Sequence, residues 1–204
     1  MASPVSVTPP ASSPPRQGRV LVIAGPSGSG KSTLVERLLR QAPVLLSLAI
    51  SATTRKPRDG EVHGRDYFFL SQAEFDARRD RGEFLECAEV HGRGHWYGTL
   101  RSEVERGLAA GRWVLLEIDI QGTRVVRELF PDAVTIFIRL GSMEELEQRL
   151  RGRGTEDEAE VQRRLETARH EMREADQFQY QVVNARLDEA VAEICRIVAA
   201  EAGK

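Results

Sequence analysis

The residues best equipped for chemistry stand together near the start of the chain, in the run Gly25-Pro26-Ser27-Gly28-Ser29-Gly30-Lys31-Ser32-Thr33. This run has the G-x-x-x-x-G-K-[ST] spacing, in which glycines let the backbone curl until successive N–H groups converge on phosphate oxygens. Lys31 then supplies a cation for the β- and γ-phosphates of a nucleotide, and Ser32 offers a hydroxyl to Mg²⁺. Of the 29 basic residues only three are lysines, so composition alone does not explain a lysine here. A ligand-free glycine turn is the competing reading, and the flanking segments argue against it. Val20-Leu21-Val22-Ile23-Ala24 is a continuous apolar run, as a parallel strand buried on both faces requires. Residues 32–41 place Leu34, Val35, Leu38 and Leu39 on one helical stripe, with Pro43 just beyond. A helix starting at the loop adds its partial positive charge to the phosphate site.

A second set of candidates lies farther along. Arg55 and Arg58, three apart across Pro57, offer planar forks suited to a phosphate dianion, although spacing alone favours a solvated charged loop. The apolar run Trp113–Leu116 ends in the acids Glu117 and Asp119, and acids at the carboxyl end of a parallel strand stand beside the ligand in an open α/β sheet. Cys87, His91 and His95 recur every four residues, a metal-ligand spacing on a helix, but Gly92 and Gly94 argue against a helix there.

The elements that must position these groups alternate. Helices are expected over residues 72–81, 102–110, 123–129, 142–151, 157–175 and 187–200. Strands are expected at 66–70, 83–90, 113–118, 133–138 and 181–184. Alternating strands and helices imply right-handed βαβ units and a parallel central sheet, an α/β fold. Five of the nine prolines fall in residues 1–15, so 1–17 reads as a disordered tail and the globular domain as 18–204. The formal charge of −2 gives no global field for a nucleic acid, and no apolar run approaches the length of a membrane span. Two cysteines and the lack of an apolar leader make a reducing cytoplasm the expected compartment. Oligomeric state is left open, monomer or homo-oligomer.

Further blocks narrow the acceptor. Ser51-Ala52-Thr53-Thr54-Arg55-Lys56-Pro57-Arg58-Asp59-Gly60-Glu61 is followed by Gly64–Phe69, Glu83-Phe84-Leu85-Glu86, Trp96-Tyr97-Gly98-Thr99, Ile118–Gly122 and Arg149–Glu156. With the phosphate loop, these blocks resemble the guanylate kinase family in order and approximate spacing. The resemblance implies a P-loop NTPase fold with a core of 18–50, 101–140 and 166–204, a GMP-binding insertion over 51–100 and a lid over 141–165. It implies transfer of the γ-phosphoryl group of ATP to GMP, with Gly25 through Thr33 and Asn184 on ATP. Arg55, Arg58 and Tyr67 would hold the GMP phosphate, with Glu61 orienting them, and Ser51, Glu86, Tyr97, Thr99 and Asp119 would complete the acceptor site. Guanine presents donors at N1–H and the exocyclic amine, which a carboxylate complements. Arg149, Arg153 and Arg164 would neutralise charge on the transferring group together with Lys31 and Arg55. Ser32 would ligate Mg²⁺, with Asp119 a second candidate for it. Two alternatives are a non-catalytic interaction module of the same fold and a kinase for another nucleotide or a phosphorylated sugar. Lys31 with the lid arginines discriminates against the first, and Glu86 with Arg55 and Arg58 against the second.

Overall fold

The most apolar stretches of the chain become the centre of a parallel sheet. The structure is a computed structural model that describes residues 18–89, 94–152 and 158–204, other than the side chains of Arg149 and Glu160. The expectations for His91, Arg153 and the Arg149 side chain thus lie outside what is described. In chain order the elements are β1 (Val20–Ala24), α1 (Lys31–Gln41), β2 (Leu46–Leu48), β3 (Ser51–Thr53), β4 (Phe68–Phe69), α2 (Gln72–Asp80), β5 (Phe84–Glu89) and β6 (Trp96–Leu100). They continue with α3 (Arg101–Ala109), β7 (Trp113–Glu117), α4 (Ile120–Leu129), β8 (Val134–Leu140), α5 (Met143–Gly152) and α6 (Glu158–Arg173). A 3₁₀ turn at Glu174–Gln177, β9 (Tyr180–Asn184) and α7 (Leu187–Ala202) complete the chain.

Five strands form one parallel sheet in the order β2-β7-β1-β8-β9. All five residues of β1 are buried, because helices cover both of its faces. Side-chain alternation sorts the core into two layers. Leu21 and Ile23 join Trp113 and Leu115 of β7 under Leu34, Val35 and Leu38 of α1 and Val191, Ile194 and Val198 of α7. Val20 and Val22 join Val114 and Leu116 under Val104 of α3 and Val126 of α4. Each fully buried aliphatic side chain in these layers contributes about 1.5–3 kcal/mol. At the sheet's edge Glu201, 6% exposed, accepts from Arg19, Tyr180 and Lys204, tying the start of β1 and the last parallel strand to α7.

A second, four-stranded sheet runs in the order β4-β3-β6-β5, with β3 antiparallel to β6 and β6 antiparallel to β5. One face packs Ala52, Phe84 and Leu100 onto Phe75 of α2, with the rings of Phe75 and Phe84 stacked 4.4 Å apart. β3, like β2 of the large sheet, has three residues, too few for an alternation to stand out, and β6 runs Trp96-Tyr97-Gly98-Thr99-Leu100 without a regular apolar–polar alternation. The α5–α6 pair has a small core of its own, Leu146, Leu150, Val161, Leu165 and Ala168, joined to the large sheet by Leu140.

Candidate active site

The loop between β1 and α1 is shaped by three glycines with positive φ: Gly25 at 145°, Gly28 at 89° and Gly30 at 82°. Gly25 lies so close to β8 that a Cβ would stand 2.4 Å from the Ile138 carbonyl oxygen. Gly30 is the N-cap of α1 and carries no side-chain cap, and the helix has no acid in its first turn. By contrast α2 has a full capping box from Ser71 and Glu74, and α4 is capped by Asp119. An uncapped helix N-terminus facing a curled glycine loop leaves its first N–H groups to an anion.

The side chains of the loop support that use. Lys31 donates to the carbonyl oxygens of Gly25 and Pro26 at 2.6 and 2.8 Å. Burial pushes its pKa down, against the pull of the Glu117 and Glu171 carboxylates. The hydroxyl of Ser32 donates to Glu117 at 3.1 Å. Thr33 is exposed on the next turn position. Ser29 is buried, and its hydroxyl has no partner among the described residues. Its carbonyl oxygen accepts from the buried amide of Asn184 at 2.7 Å. Asn184, expected on the adenine side, thus braces the loop from beneath. Arg164 of α6 reaches Ser27 Oγ at 2.7 Å and so joins the α5–α6 pair to the loop.

The other wall is the polar face of the smaller sheet. Register places Ser51 opposite Thr99, Thr99 opposite Glu86, and Thr53 opposite Tyr97. Residues far apart in sequence thereby become neighbours on one face, while Ala52, Gly98 and Cys87 turn the other way. Cys87 lies in β5, so the Cys87–His91–His95 spacing is not helical. Glu86 Oε1 accepts both the N–H of Thr99 at 3.0 Å and its hydroxyl at 2.6 Å. Burial raises the Glu86 pKa above the ordinary carboxylate value, and the Thr99 hydrogen bonds oppose that rise.

Arg55 is held in a cage. Its two terminal nitrogens meet the two Glu61 oxygens at 2.9 Å each, and Nε donates to the Tyr97 hydroxyl at 3.2 Å. The guanidinium lies 5.5 Å from the centre of the Tyr67 ring. Donating to the Glu61 carboxylate raises the Arg55 pKa, and the same pair, with the Arg58 N–H donating at 2.7 Å, lowers that of Glu61. Arg58 itself is exposed. The start of α1 and the Arg55 cage line one cleft of about 500 Å³ that includes Ser32, Thr33, Arg55, Arg58, Glu61, Tyr67, Tyr97 and Glu117, whereas Lys31, Ser51, Glu86, Thr99 and Asp119 are not among its lining residues.

The two acids at the end of β7 take different places. Asp119 lies past the end of β7 as the N-cap of α4, with one oxygen committed to the Gly122 N–H at 2.8 Å. The carboxylate within reach of Ser32 is Glu117, which the sequence places at the end of the strand without giving it a role of its own. Strand alternation was the available signal: Trp113 and Leu115 face α1, and two residues later Glu117 must face the start of the same helix.

A curled glycine loop running into an uncapped helix at the carboxyl edge of a parallel sheet, beside a cleft that also holds Arg55 and Arg58, defines the fold and site of a P-loop phosphotransferase. Comparison with known proteins agrees. The guanylate kinase family model matches residues 17–201. A guanylate kinase of Rhodopirellula baltica is 53% identical over 182 residues, covering 89% of this chain and 87% of that protein. One from Rubrobacter xylanophilus is 50% identical over 183 residues, covering 90% and 94%. The crystal structure of guanylate kinase from Anaplasma phagocytophilum superposes with a TM-score of 0.76 at 33% identity, covering 93% of this chain and 88% of that one. The chain belongs to the guanylate kinase family, enzymes that phosphorylate GMP with ATP as donor.

Proposed function

We propose that this chain transfers the γ-phosphoryl group of ATP to GMP in the cleft between the phosphate loop and the smaller sheet. The observation that carries this reading is that Ser32 and Glu117 share one cleft with Arg55, Arg58, Tyr67 and Tyr97. Donor and acceptor phosphates bound to those two walls would meet head on. The loop N–H groups and Lys31 hold the donor phosphates, Lys31 turning from the Gly25 and Pro26 carbonyls to do so. Arg55, Arg58 and the two tyrosines hold the phosphate of GMP, and Glu61 fixes the plane of the Arg55 fork. Ser51, Glu86, Thr99 and Asp119 form the wall that reads guanine. Adenine, with an acceptor at N1, would face the Glu86 carboxylate with like partial charge.

No general base is required, because the attacking phosphate oxygen of GMP is already anionic at neutral pH. Positioning and charge neutralisation remain, as in other phosphoryl transfers. In this reading residues 51–100 are the acceptor-binding insertion of a domain over 18–204. Residues 141–165 are a lid, closing Arg149, Arg153 and Arg164 over the phosphates and excluding water. The Arg164 contact with Ser27 supports that direction of closure.

The Ser32 hydroxyl and Glu117 carboxylate are hard oxygen donors, and among the described residues no group of three or more acids, histidines or cysteines could cage a metal. Such a sparse set suits Mg²⁺, which keeps waters and phosphate oxygens in its shell. When bound it would neutralise charge between the β- and γ-phosphates. The two free thiols, Cys87 and Cys195, suit a reducing cytoplasm.

A coupled assay with ATP and, separately, GMP, AMP, CMP, UMP and dTMP tests the reading. GMP should be preferred by about a hundredfold or more in kcat/KM, as expected where buried hydrogen-bonding groups select the base. Comparable turnover of AMP or a pyrimidine nucleotide would overturn the guanine assignment.

A further inference from the structure

Gly122 is the third residue of α4, a position where glycine weakens a helix relative to alanine. Nothing in the backbone asks for it. Its φ is not positive, and its N–H serves the Asp119 cap, which any residue but proline could do. The reason for glycine lies in the space beside it. A Cβ at this position would stand 2.9 Å from Glu86 Oε2, 3.1 Å from its Cδ and 3.3 Å from its Cγ.

An isolated glutamate would swing away from such a methyl at little cost. Glu86 is not free to do so, because its other oxygen is fixed by the N–H and hydroxyl of Thr99 at 3.0 and 2.6 Å. The carboxylate is therefore seated between a two-donor clamp on β6 and a bare patch of the first turn of α4. Oε2, the oxygen beside Gly122, meets no hydrogen-bond donor among the described residues, which leaves it as the acceptor for an incoming ligand.

We propose that Gly122 is a specificity-determining positioning residue: its missing side chain lets the Glu86 carboxylate lie where Oε2 can accept from the guanine edge. This rests on the assignment of Glu86 to the base. A methyl at 122 either tilts the carboxylate off Thr99 or pushes Oε2 out of line, and the donor farthest from the clamp loses its partner first. Hypoxanthine offers N1–H without the exocyclic amine, so GMP compared with IMP reads the placement of the acceptor itself.

The test is a double-mutant cycle of Gly122→Ala and Glu86→Ala, with kcat and KM for GMP, IMP and ATP and the melting temperature of each variant. Gly122→Ala should raise KM for GMP at least about tenfold and shrink the GMP-over-IMP preference by a similar factor, the usual scale when a buried acceptor is misplaced. KM for ATP should stay within about twofold, since the donor phosphates are bound by another wall. In the Glu86→Ala background Gly122→Ala should have no further effect on GMP. Additive losses in the two variants would overturn the proposal, as would an unchanged GMP-over-IMP ratio in Gly122→Ala. If Glu86→Ala alone left that ratio intact, the guanine assignment would fall as well. Should Gly122→Ala prevent folding, adding Glu86→Ala removes the atoms the methyl meets. Recovery of the melting transition supports the proposal, and continued failure to fold overturns it.

Discussion

The two walls of the cleft are made in opposite ways. The phosphate loop is largely a backbone device, hung from the end of the buried strand β1, set against β8 at Gly25 and braced by Asn184, with glycine at three positions leaving room. The facing wall is a side-chain device, a row of hydroxyls, rings and charges on one face of a small sheet whose other face is packed on α2. A phosphate is the same in every nucleotide, so N–H groups suffice for it. A base must be told from other bases, and that takes side chains with distinct donors and acceptors.

The sharpest way to break this contrast is Lys31→Ala. Losing one preorganised cationic donor should cost about 3–4 kcal/mol of transition-state stabilisation, on the order of 10²–10³ in kcat, with KM for GMP little changed. A folded variant retaining half its turnover, or one whose main defect was GMP binding, would show that the walls are not separate.

Glu86→Gln addresses the other wall. The size is kept while one acceptor becomes a donor, so kcat/KM for GMP should fall at least about tenfold and ATP binding should hold. The charged carboxylate is the accepting form. Because burial lifts its pKa above 4.5, wild-type kcat/KM for GMP should decline with an acid limb lying above pH 4.5. Glu86→Gln should lack that limb, and a limb unchanged in the variant would assign it to another group.

The smallest effect on catalysis belongs to the frame that holds both walls. Glu201→Ala strands Arg19, Tyr180 and Lys204 and should cost about 2 kcal/mol, a drop of roughly 4–8 °C in melting temperature for a domain of this size, with both KM values unchanged. Its hydrogen bonds to Lys204 and Tyr180 depress the Glu201 pKa below 4.5. That stabilisation is therefore fully present above about pH 4.5 and fades as pH falls through the lower folded value. The gap in melting temperature between wild type and variant should narrow in that acid range, and a gap that widened on acidification would contradict it.

The donor wall was the more legible of the two in the sequence. Its strand, loop and helix are contiguous, so residues 20–41 carry the whole device, and Val20–Ala24 reads directly as β1. Helix ends fell within a residue or two for α2, α3 and α5, but α4 begins at Ile120, three residues earlier than apolar spacing suggests, because Asp119 caps it. The acceptor wall depends on pairings between segments such as 51–53 and 97–99, whose register has no local signature. Family resemblance, rather than periodicity, pointed to Ser51, Glu86 and Thr99. Resemblance in turn gave a role to Asp119 and none to Glu117, which simple alternation along β7 turns toward the start of α1.

The strand order has a consequence for how the chain is made. β1 is the central strand, yet both its neighbours arrive late, β7 at residues 113–117 and β8 at 134–140. As the chain leaves the ribosome, Val20–Ala24 is an apolar segment with two open edges until β7 follows about 90 residues later, and with one open edge until β8 is complete, about 115 residues on, the kind of exposure that invites aggregation. Fragments released with lengthening C-termini should therefore keep this segment accessible to protease until β8 is included. Protection gained before β7 emerges would mean that something else covers it. The phosphate loop, hung from the end of β1, is thus written first and built last.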